Sequence, residues 1–275
     1  MAMSVRTNVA SLMAAGNLAS TNKSLSNVLG RISSGLRVNS ASDDAAGLGV
    51  ATNLETDAKS TTQAMRNAND GISMIQTAES ASNEVVDILQ RMRELAVQSS
   101  SETLDDDERS YITDEFDELS DEIARIANVT EFNGIELADG TTTQVDVQVG
   151  IQNGTSSRIT LDVGELTTTA LGLTASVSLA SVTDAQSAIE NIDAALDTVN
   201  GYRSDLGAVQ NRLDSAINNS QAYLEALSSA QSAIQDADFA TETSEMTKMQ
   251  IMQQAGVAAL AQAKNMNQSV ISLLS

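Results

Sequence analysis

Residues near the carboxyl end of the chain repeat at intervals of three and four, and this spacing limits what the chain can fold into. The repeating positions are Met246, Met249, Gln253, Gly256, Leu260, Ala263, Asn267, Val270 and Leu274. Such spacing is typical of a helix that packs along one seam in a coiled coil. Ile251, Val257 and Ile271 add apolar residues on the opposite face. A helix that is apolar on more than one side must be covered on more than one side.

The amino end carries a matching pattern. Its two apolar series are Val5, Val9, Leu12, Gly16 and Ala19, and then Leu18, Leu25, Leu29, Ile32 and Leu36. Because the chain contains no proline, long unbroken helices are permitted. We predict two terminal helices of roughly 30 to 40 residues, about 45 to 60 Å long. They are expected to pair with each other, because each has a seam and no other partner of matching length.

Charge is divided unevenly along the chain. Residues 1–42 hold four basic residues and residues 246–275 hold two, and neither segment holds an acid. The ends therefore carry +6, whereas 9 basic and 37 acidic residues leave −28 in residues 43–245. Like charges gathered in a poorly screened interior would repel one another. We therefore interpret the ends as segments that pack against many copies of themselves. The predicted regions are 1–42 with 236–275, which pair, and a helical bundle at 43–235.

Composition weighs against several functional classes. The absence of cysteine removes disulfides, thiolate metal sites and cysteine nucleophiles, and the absence of histidine removes the commonest general base. A net charge of −22 disfavours nucleic acid and anionic membranes as partners. No apolar run approaches the roughly 20 residues of a membrane span, and the start lacks the pattern of a secretory signal. We expect no enzyme, no cofactor, no metal site and no membrane insertion.

The amino-terminal helix should stop near Gly35. Two further helices are predicted between it and the middle of the chain. The first begins after a cap at Ser42, runs to about residue 99, and has a weak point at residues 69–71. The second begins after a cap at Thr103, with acidic residues in its first turn. A calcium loop is the alternative for that acidic run, but the run lacks the alternating spacing and central glycine of such a loop.

The stretch from about residue 129 to 182 changes to a period of two. The alternating apolar positions are Val145, Val147 and Val149, and then Ile159, Leu161 and Val163. The dipeptide Asn153-Gly154 lies between them and favours a tight hairpin turn. We predict one or two exposed β-hairpins in this stretch. Spacing of three and four then returns from Ile189 to Leu227 and predicts another bundle helix. The fold class is therefore mainly α, a long antiparallel helical bundle or coiled-coil rod with a small β-hairpin insertion.

Seven short stretches of the chain form recognisable motifs: SSGLRVNS at 33–40, DDAAG at 43–47, LQRMRELAVQ at 89–98, EFNG at 131–134, LGAVQNRL at 206–213, DADFATE at 236–242 and QQAG at 253–256. These stretches resemble bacterial flagellin. They cover roughly residues 1–135 and 185–275, and several independent motifs make the resemblance specific. The family often carries large outer domains between its two halves. Only the hairpin stretch stands there in this chain, so the chain resembles a minimal flagellin.

The resemblance implies a structural subunit of the bacterial flagellar filament that serves motility and self-polymerises. It also implies an extracellular protein, exported unfolded without a cleaved signal peptide. The implied partners are further copies of the chain, the flagellar export apparatus, a secretion chaperone, the filament cap and hook-associated proteins. The terminal seams would then form the polymerisation core, for which the predicted residues are Val5, Val9, Leu12, Leu25, Leu29, Ile32, Leu36, Met246, Met249, Leu260, Val270 and Leu274.

Many flagellins are detected by a Toll-like receptor of an animal host through their middle helices. The positions that match here are Arg91, Leu95 and Glu115, which could equally be filament contacts or solvated residues. Two other functions stay open, a hook–filament junction protein with similar terminal helices and an enzyme or secreted effector built on a bundle. The match of the middle helices disfavours the first, and the missing histidine and cysteine disfavour the second.

Overall fold

The computed structural model describes residues 7–174 and 177–274, with side chains described as far as residue 265. Its elements in chain order are α1 (Val9–Ser34), α2 (Ala45–Ser99), α3 (Asp106–Val129), β1 (Glu131–Phe132), β2 (Ile135–Glu136), β3 (Gln144–Gln148), β4 (Arg158–Asp162), α4 (Val182–Gln235) and α5 (Phe239–Leu274). The strands form two separate antiparallel pairs, β1 with β2 and β3 with β4. The prediction of a mainly α fold with a small β insertion is confirmed.

The chain divides into two compact units. The first comprises Met1–Ala58 and Glu225–Ser275, and the second comprises Lys59–Leu224. Each boundary falls inside a long helix, α2 or α4, rather than in a loop. The functional division predicted at residues 42 and 236 concerns which segments meet other copies of the chain, and it stays a prediction.

The core of the second unit lies along α4. Its buried positions keep the predicted spacing of three and four, and they are Ala185, Ala188, Ile192, Ala195, Val199, Leu206 and Leu213. Those from Ala185 to Val199 pack with buried residues of α2 and α3 such as Leu89, Met92 and Phe116, whereas Leu206 and Leu213 belong to a second cluster with Ile75. The alanines in the first part of the series let neighbouring helices approach closely. Each large side chain that is fully buried contributes about 1.5 to 3 kcal/mol.

The β3–β4 pair packs one face onto this bundle, which corrects the prediction of exposed hairpins. Val147, Ile159 and Leu161 alternate with polar neighbours and are buried in a cluster that includes Ile75 and Leu213. A strand pair this short is not stable on its own, because it has too little apolar surface to bury. The helices supply the missing apolar surface.

The tight turn lies elsewhere than predicted. Asn133 and Gly134 both have positive φ, 51° and 78°, and they form the two-residue connection between β1 and β2. Positive φ at both central positions is what a type I′ hairpin turn requires. Gly154 has an extended backbone with φ of −158°, and it lies in a longer connection that contains a 3₁₀ turn. The sequence therefore correctly predicted a hairpin turn formed by Asn-Gly, but placed it at Asn153-Gly154 instead of Asn133-Gly134.

Two predicted helix caps are each displaced by two residues. At α3, Asp105 rather than Thr103 is the cap; its carboxylate accepts from the Glu108 N–H at 2.8 Å, and the Glu108 carboxylate accepts from the Asp105 N–H. At α2, the carboxylate of Asp44 rather than the hydroxyl of Ser42 accepts from the first-turn N–H groups. Ser, Thr and Asp are all good caps, so composition alone does not choose among neighbours.

The weak point predicted at residues 69–71 is not a break, because α2 is helical throughout. A side chain at Gly71 would place its Cβ 3.1 Å from the Val147 side chain and 3.3 Å from that of Leu213. Glycine therefore permits the close approach of β3 and α4 at this point, although it costs about 1 kcal/mol relative to alanine in a helix interior.

Candidate functional site

The terminal helices α1 and α5 form an antiparallel pair inside the first unit, as predicted. Near the start of α1, the side-chain amide of Asn8 donates to the carbonyl of Ala263 at 2.8 Å. Farther along α1, the side-chain amide of Gln253 donates to the Asn22 oxygen, also at 2.8 Å. Later residues of α1 thus meet earlier residues of α5. The pair is aligned by polar contacts as well as by apolar ones.

Backbone hydrogen bonds join the chain just after α1 to the chain just before α5. Helix α1 ends at Gly35 in the left-handed conformation, with φ of 73°, as the sequence predicted. The N–H of Ala237 then donates to the Gly35 carbonyl at 2.9 Å, and the N–H of Arg37 donates to the Gln235 carbonyl at 2.7 Å. These bonds flank an isolated antiparallel bridge between Leu36 and Asp236. These bonds fix the chain just after α1 against the connection between α4 and α5.

Helix α5 presents the predicted seam as its half-buried face. The half-buried seam positions are Met246, Met249, Gln253, Gly256, Leu260 and Ala263. Gly256 marks the close approach, because a Cβ there would lie 3.3 Å from a methyl carbon of Leu18. Val270 and Leu274 continue the series, but their side chains lie outside the described residues. No described side chain of α5 is fully buried.

Helix α1 uses only the second of its two predicted series against its neighbours. Leu18, Leu25, Ile32 and, after the helix, Leu36 are half-buried, and only Val28 in α1 is buried. Val9, Leu12 and Leu29 are exposed, by 57%, 71% and 46% of their surface. Val9 and Leu12 of the first series and Leu29 of the second are therefore not covered by α5. The sequence assigned them to the polymerisation core without choosing the face that meets α5, and that assignment stays a prediction. Val5 lies outside the described residues.

Both helices expose large apolar side chains to solvent. Their large exposed apolar residues are Val9, Leu12, Met13 and Leu29 on α1, and Phe239, Ile251, Met252 and Val257 on α5. The predicted set of core residues omitted Met13, Phe239, Ile251, Met252 and Val257, although Ile251 and Val257 were recognised as apolar positions opposite the seam. Because each helix of the pair leaves four large apolar side chains exposed, we take these residues as a candidate interaction surface. This surface is the candidate functional site.

The middle helices bring Arg91 and Glu115 together. Arg91 Nη2 lies 2.7 Å from Glu115 Oε1, and Arg91 Nη1 lies 3.0 Å from Glu94 Oε2. The hydrogen bond with Glu115 and then that with Glu94 raise the pKa of Arg91. Leu95 is only 2% exposed and belongs to the core of the second unit, so its side chain cannot touch a partner of the folded chain. Any surface that a partner contacts at this place is therefore formed by the exposed ion pair of Arg91 and Glu115, and not by Leu95.

Other kinds of site find no support within the described ranges. Residues 7–174 and 177–274 contain no helix long and apolar enough to cross a membrane. The same residues bring together no group of three acidic side chains that could hold a metal ion.

Both halves of the chain match family models. Residues 5–143 match the bacterial flagellin N-terminal helical region, and residues 189–274 match the bacterial flagellin C-terminal helical region. The two models together cover the terminal pair and the bundle. The stretch between them includes the β3–β4 pair and the loops on either side of it.

Curated relatives resemble the chain over most of their length. It is 46% identical to a flagellin of Halalkalibacterium halodurans over 89% of each chain. It is 38% identical to the flagellar filament 33 kDa core protein of Treponema phagedenis over 99% of this chain and all of that one. A solved structure, a putative flagellar hook-associated protein from Vibrio parahaemolyticus, is similar with a TM-score of 0.59 and 18% identity, over 70% of this chain and all of that one. At that identity the last likeness concerns the fold alone.

Proposed function

Because the chain belongs to the bacterial flagellin family, we propose that it polymerises through the outer faces of its paired terminal helices. It is a structural subunit of the bacterial flagellar filament, and so an extracellular protein that assembles with copies of itself. What remains to be assigned is which surfaces make the filament and what drives them together.

One observation supports the terminal helices as the polymerising segments: they pair without forming a buried core. Val28 is the only buried residue of α1, and α5 has no buried side chain among those described. Helical stability in proteins comes mostly from packing of an apolar face, and two helices packed only on each other leave most of that stabilisation unrealised. Further copies of the chain would cover the exposed faces and supply it.

The proposed polymerisation core therefore has an inner and an outer part. Leu25, Ile32, Leu36, Met246, Met249 and Leu260 hold the pair together. Val9, Leu12 and Leu29 meet neighbouring copies. Val5 continues the series of Val9 and Leu12 toward the amino end, and Val270 and Leu274 continue that of Leu260 toward the carboxyl end. The core comprises residues 1–42 and 236–275, and residues 43–235 form the surrounding bundle.

Charge makes assembly depend on salt. The bundle region carries −28 and meets like-charged bundles of neighbouring copies, whereas the acid-free ends meet without repulsion. Raising the ionic strength shortens the range of that repulsion, from about 30 Å at 0.01 M to about 8 Å at 0.15 M. Polymer yield should therefore rise between low and moderate salt, and a constant or falling yield would contradict this part of the proposal.

Further partners follow from the family. We propose the flagellar export apparatus, a secretion chaperone, the filament cap and hook-associated proteins, with export that uses no cleaved signal peptide. A Toll-like receptor that binds the surface of Arg91 and Glu115 belongs to the same proposal, with Leu95 acting only as support beneath them. No catalytic role is proposed. The hook–filament junction alternative is not proposed, because its only added support is a likeness of fold.

The test compares the full chain with a truncated chain of residues 43–235. Salt and filament seeds are added to each purified protein, circular dichroism verifies that the truncated chain is folded, and sedimentation and electron microscopy follow. Uniform filaments from the full chain alone would support the proposal. Polymerisation of the truncated chain to the same extent would refute the role of the ends. Failure of both, even with seeds, would favour a junction protein.

A further inference from the structure

A polar cleft of about 420 Å³ lies in the first unit, between α1 and the loop that follows it. One wall is a single face of α1, because Lys23, Asn27 and Arg31 stand four residues apart. The opposite wall is the loop of residues 39–43. Two cations and an amide thus line one side of a cleft that no apolar residue enters.

The loop wall is held in place by its own carboxylate. Asp43 accepts from the N–H of Ser40 and from the Ser40 hydroxyl, each at 3.0 Å, and from the N–H of Asn39 at 3.3 Å. The hydrogen bond from the Ser40 hydroxyl is the main cause of the lowered pKa of Asp43. The loop thus holds this carboxylate in place, and the nearby charge of Arg31 is a smaller cause of its lowered pKa.

The hydrogen-bond donors on the α1 wall of the cleft are only partly paired. Lys23 has no ion-pair partner among the described residues. Arg31 makes one long contact, with 3.5 Å between its Nη1 and Glu242 Oε1, which leaves N–H groups of its fork free. The Asn27 amide can donate between them. Such an arrangement suits an anion with two oxygens, because charge-assisted hydrogen bonds to carboxylates are the strong ones.

We propose that this cleft, the Lys23 cleft, receives a carboxylate side chain from a second copy of the chain. The inference rests on the proposed function, since polymerisation is what brings a second copy to the cleft. Charge complementarity favours a copy of the chain as the source. All 37 carboxylate side chains lie in residues 43–245, whereas the helix wall belongs to the acid-free segment 1–42. The contact therefore links the basic end of one subunit to the acidic region of another.

Zero-length carbodiimide cross-linking of filaments tests this contact directly. Filaments are grown from an equal mixture of ¹⁴N- and ¹⁵N-labelled full chains, treated with the reagent, digested and analysed by mass spectrometry. The reagent joins an amine to a carboxylate only when the two are in contact. We expect a peptide that joins Lys23 to an Asp or Glu, with about half of its molecules carrying one light and one heavy partner.

Three results would overturn the proposal. Filaments whose Lys23 cross-links carry only matched labels, or that yield none, would refute the cleft contact and leave the proposed function standing. If inorganic phosphate also shifted the NMR signals of Lys23 and Asn27 in the monomer, the occupant would be a free anion. A full chain that forms no filaments even with seeds would refute the proposed function and this contact with it.

A matched pair of variants adds a second readout. Lys23→Gln should raise the critical concentration for polymerisation about two- to fivefold at low salt, the range expected of a solvent-exposed ion pair. The difference should shrink in high salt, where such pairs are screened. Arg125→Gln is the control, because it removes the same charge from a residue outside the proposed core, where Arg125 pairs with Glu122 on its own helix at 2.6 Å. Equal effects of the two substitutions would contradict a specific role of the cleft.

Discussion

The outer face of α1 offers a sharp test of how the filament is held together. Leu12→Ala removes roughly three carbon atoms, each worth about 0.8 kcal/mol when buried. Because Leu12 is 71% exposed in the free chain, assembly still has roughly 1.7 kcal/mol to gain from those atoms. The critical concentration equals the dissociation constant of a subunit at the filament end. It should therefore rise about 15-fold, since about 1.4 kcal/mol is a factor of ten.

The assay is seeded polymerisation at fixed salt, followed by sedimentation and measurement of the protein left in solution. The chain offers a matched control in a second pair of substitutions. Val9 in α1 is 57% exposed and Val129 in α3 is 56% exposed, and each lies at the end of its helix. Val9→Ala should raise the critical concentration about fourfold by the same calculation. Val129→Ala should leave it unchanged, because that residue lies in the second unit.

Two results would refute this reasoning. An unchanged critical concentration for Leu12→Ala would mean that the outer face of α1 stays in solvent in the filament. Equal shifts for Val9→Ala and Val129→Ala would mean that apolar contacts of the bundle contribute as much as those of the terminal pair. The circular dichroism of the free variants should match that of the parent, since leucine and alanine have similar helix propensities.

The remaining predictions concern folding of the single chain. Gly164→Ala would place a Cβ 2.6 Å from the Tyr202 ring. Overpacking of this kind lowers the free energy of unfolding by about 1 to 3 kcal/mol. A loss of about 2 kcal/mol should lower the calorimetric melting temperature by roughly 4 to 8 °C. Arg109 is buried and donates to two backbone carbonyls, so Arg109→Leu should cost about 3 kcal/mol in urea unfolding; an unchanged midpoint would contradict this. A hydrogen bond from Thr241 is the main cause of the lowered pKa of Asp238, so the charged form stabilises the start of α5 above the ordinary pKa. That stabilisation is lost as pH falls through the lowered value, and hydrogen exchange in the first turn should accelerate there in the parent but not in Asp238→Asn.

The spacing of apolar residues correctly predicted the helices that pack along a regular seam. The seam from Met246 to Ala263 is half-buried where the spacing placed it, because steps of three and four return to one face of a helix. At the start of α1 the same argument left two offset apolar series without a choice between them. Nothing in the spacing says which of them meets α5 and which is left for another copy.

Contacts between distant residues account for the other differences. Gly71 was a plausible break until Val147 and Leu213 were found beside it, from segments far along the chain. Leu95 was plausible as a contact residue because its neighbour Arg91 is exposed, yet it is buried against other helices. The cleft at Lys23 carries no sequence signal, because its loop wall owes its shape to hydrogen bonds around Asp43.

The backbone bridge between Leu36 and Asp236 also determines the direction in which the terminal pair forms. It holds together two points separated by most of the chain, so the entropy of closing that loop is lost once, at the bridge. Starting a helix is unfavourable, whereas lengthening one is not. We infer that α1 and α5 grow away from the bridge and fray first at their far ends, near Asn8 and Leu274. A subunit joining the filament would then order its terminal helices in one direction, from the bridge toward its two chain ends.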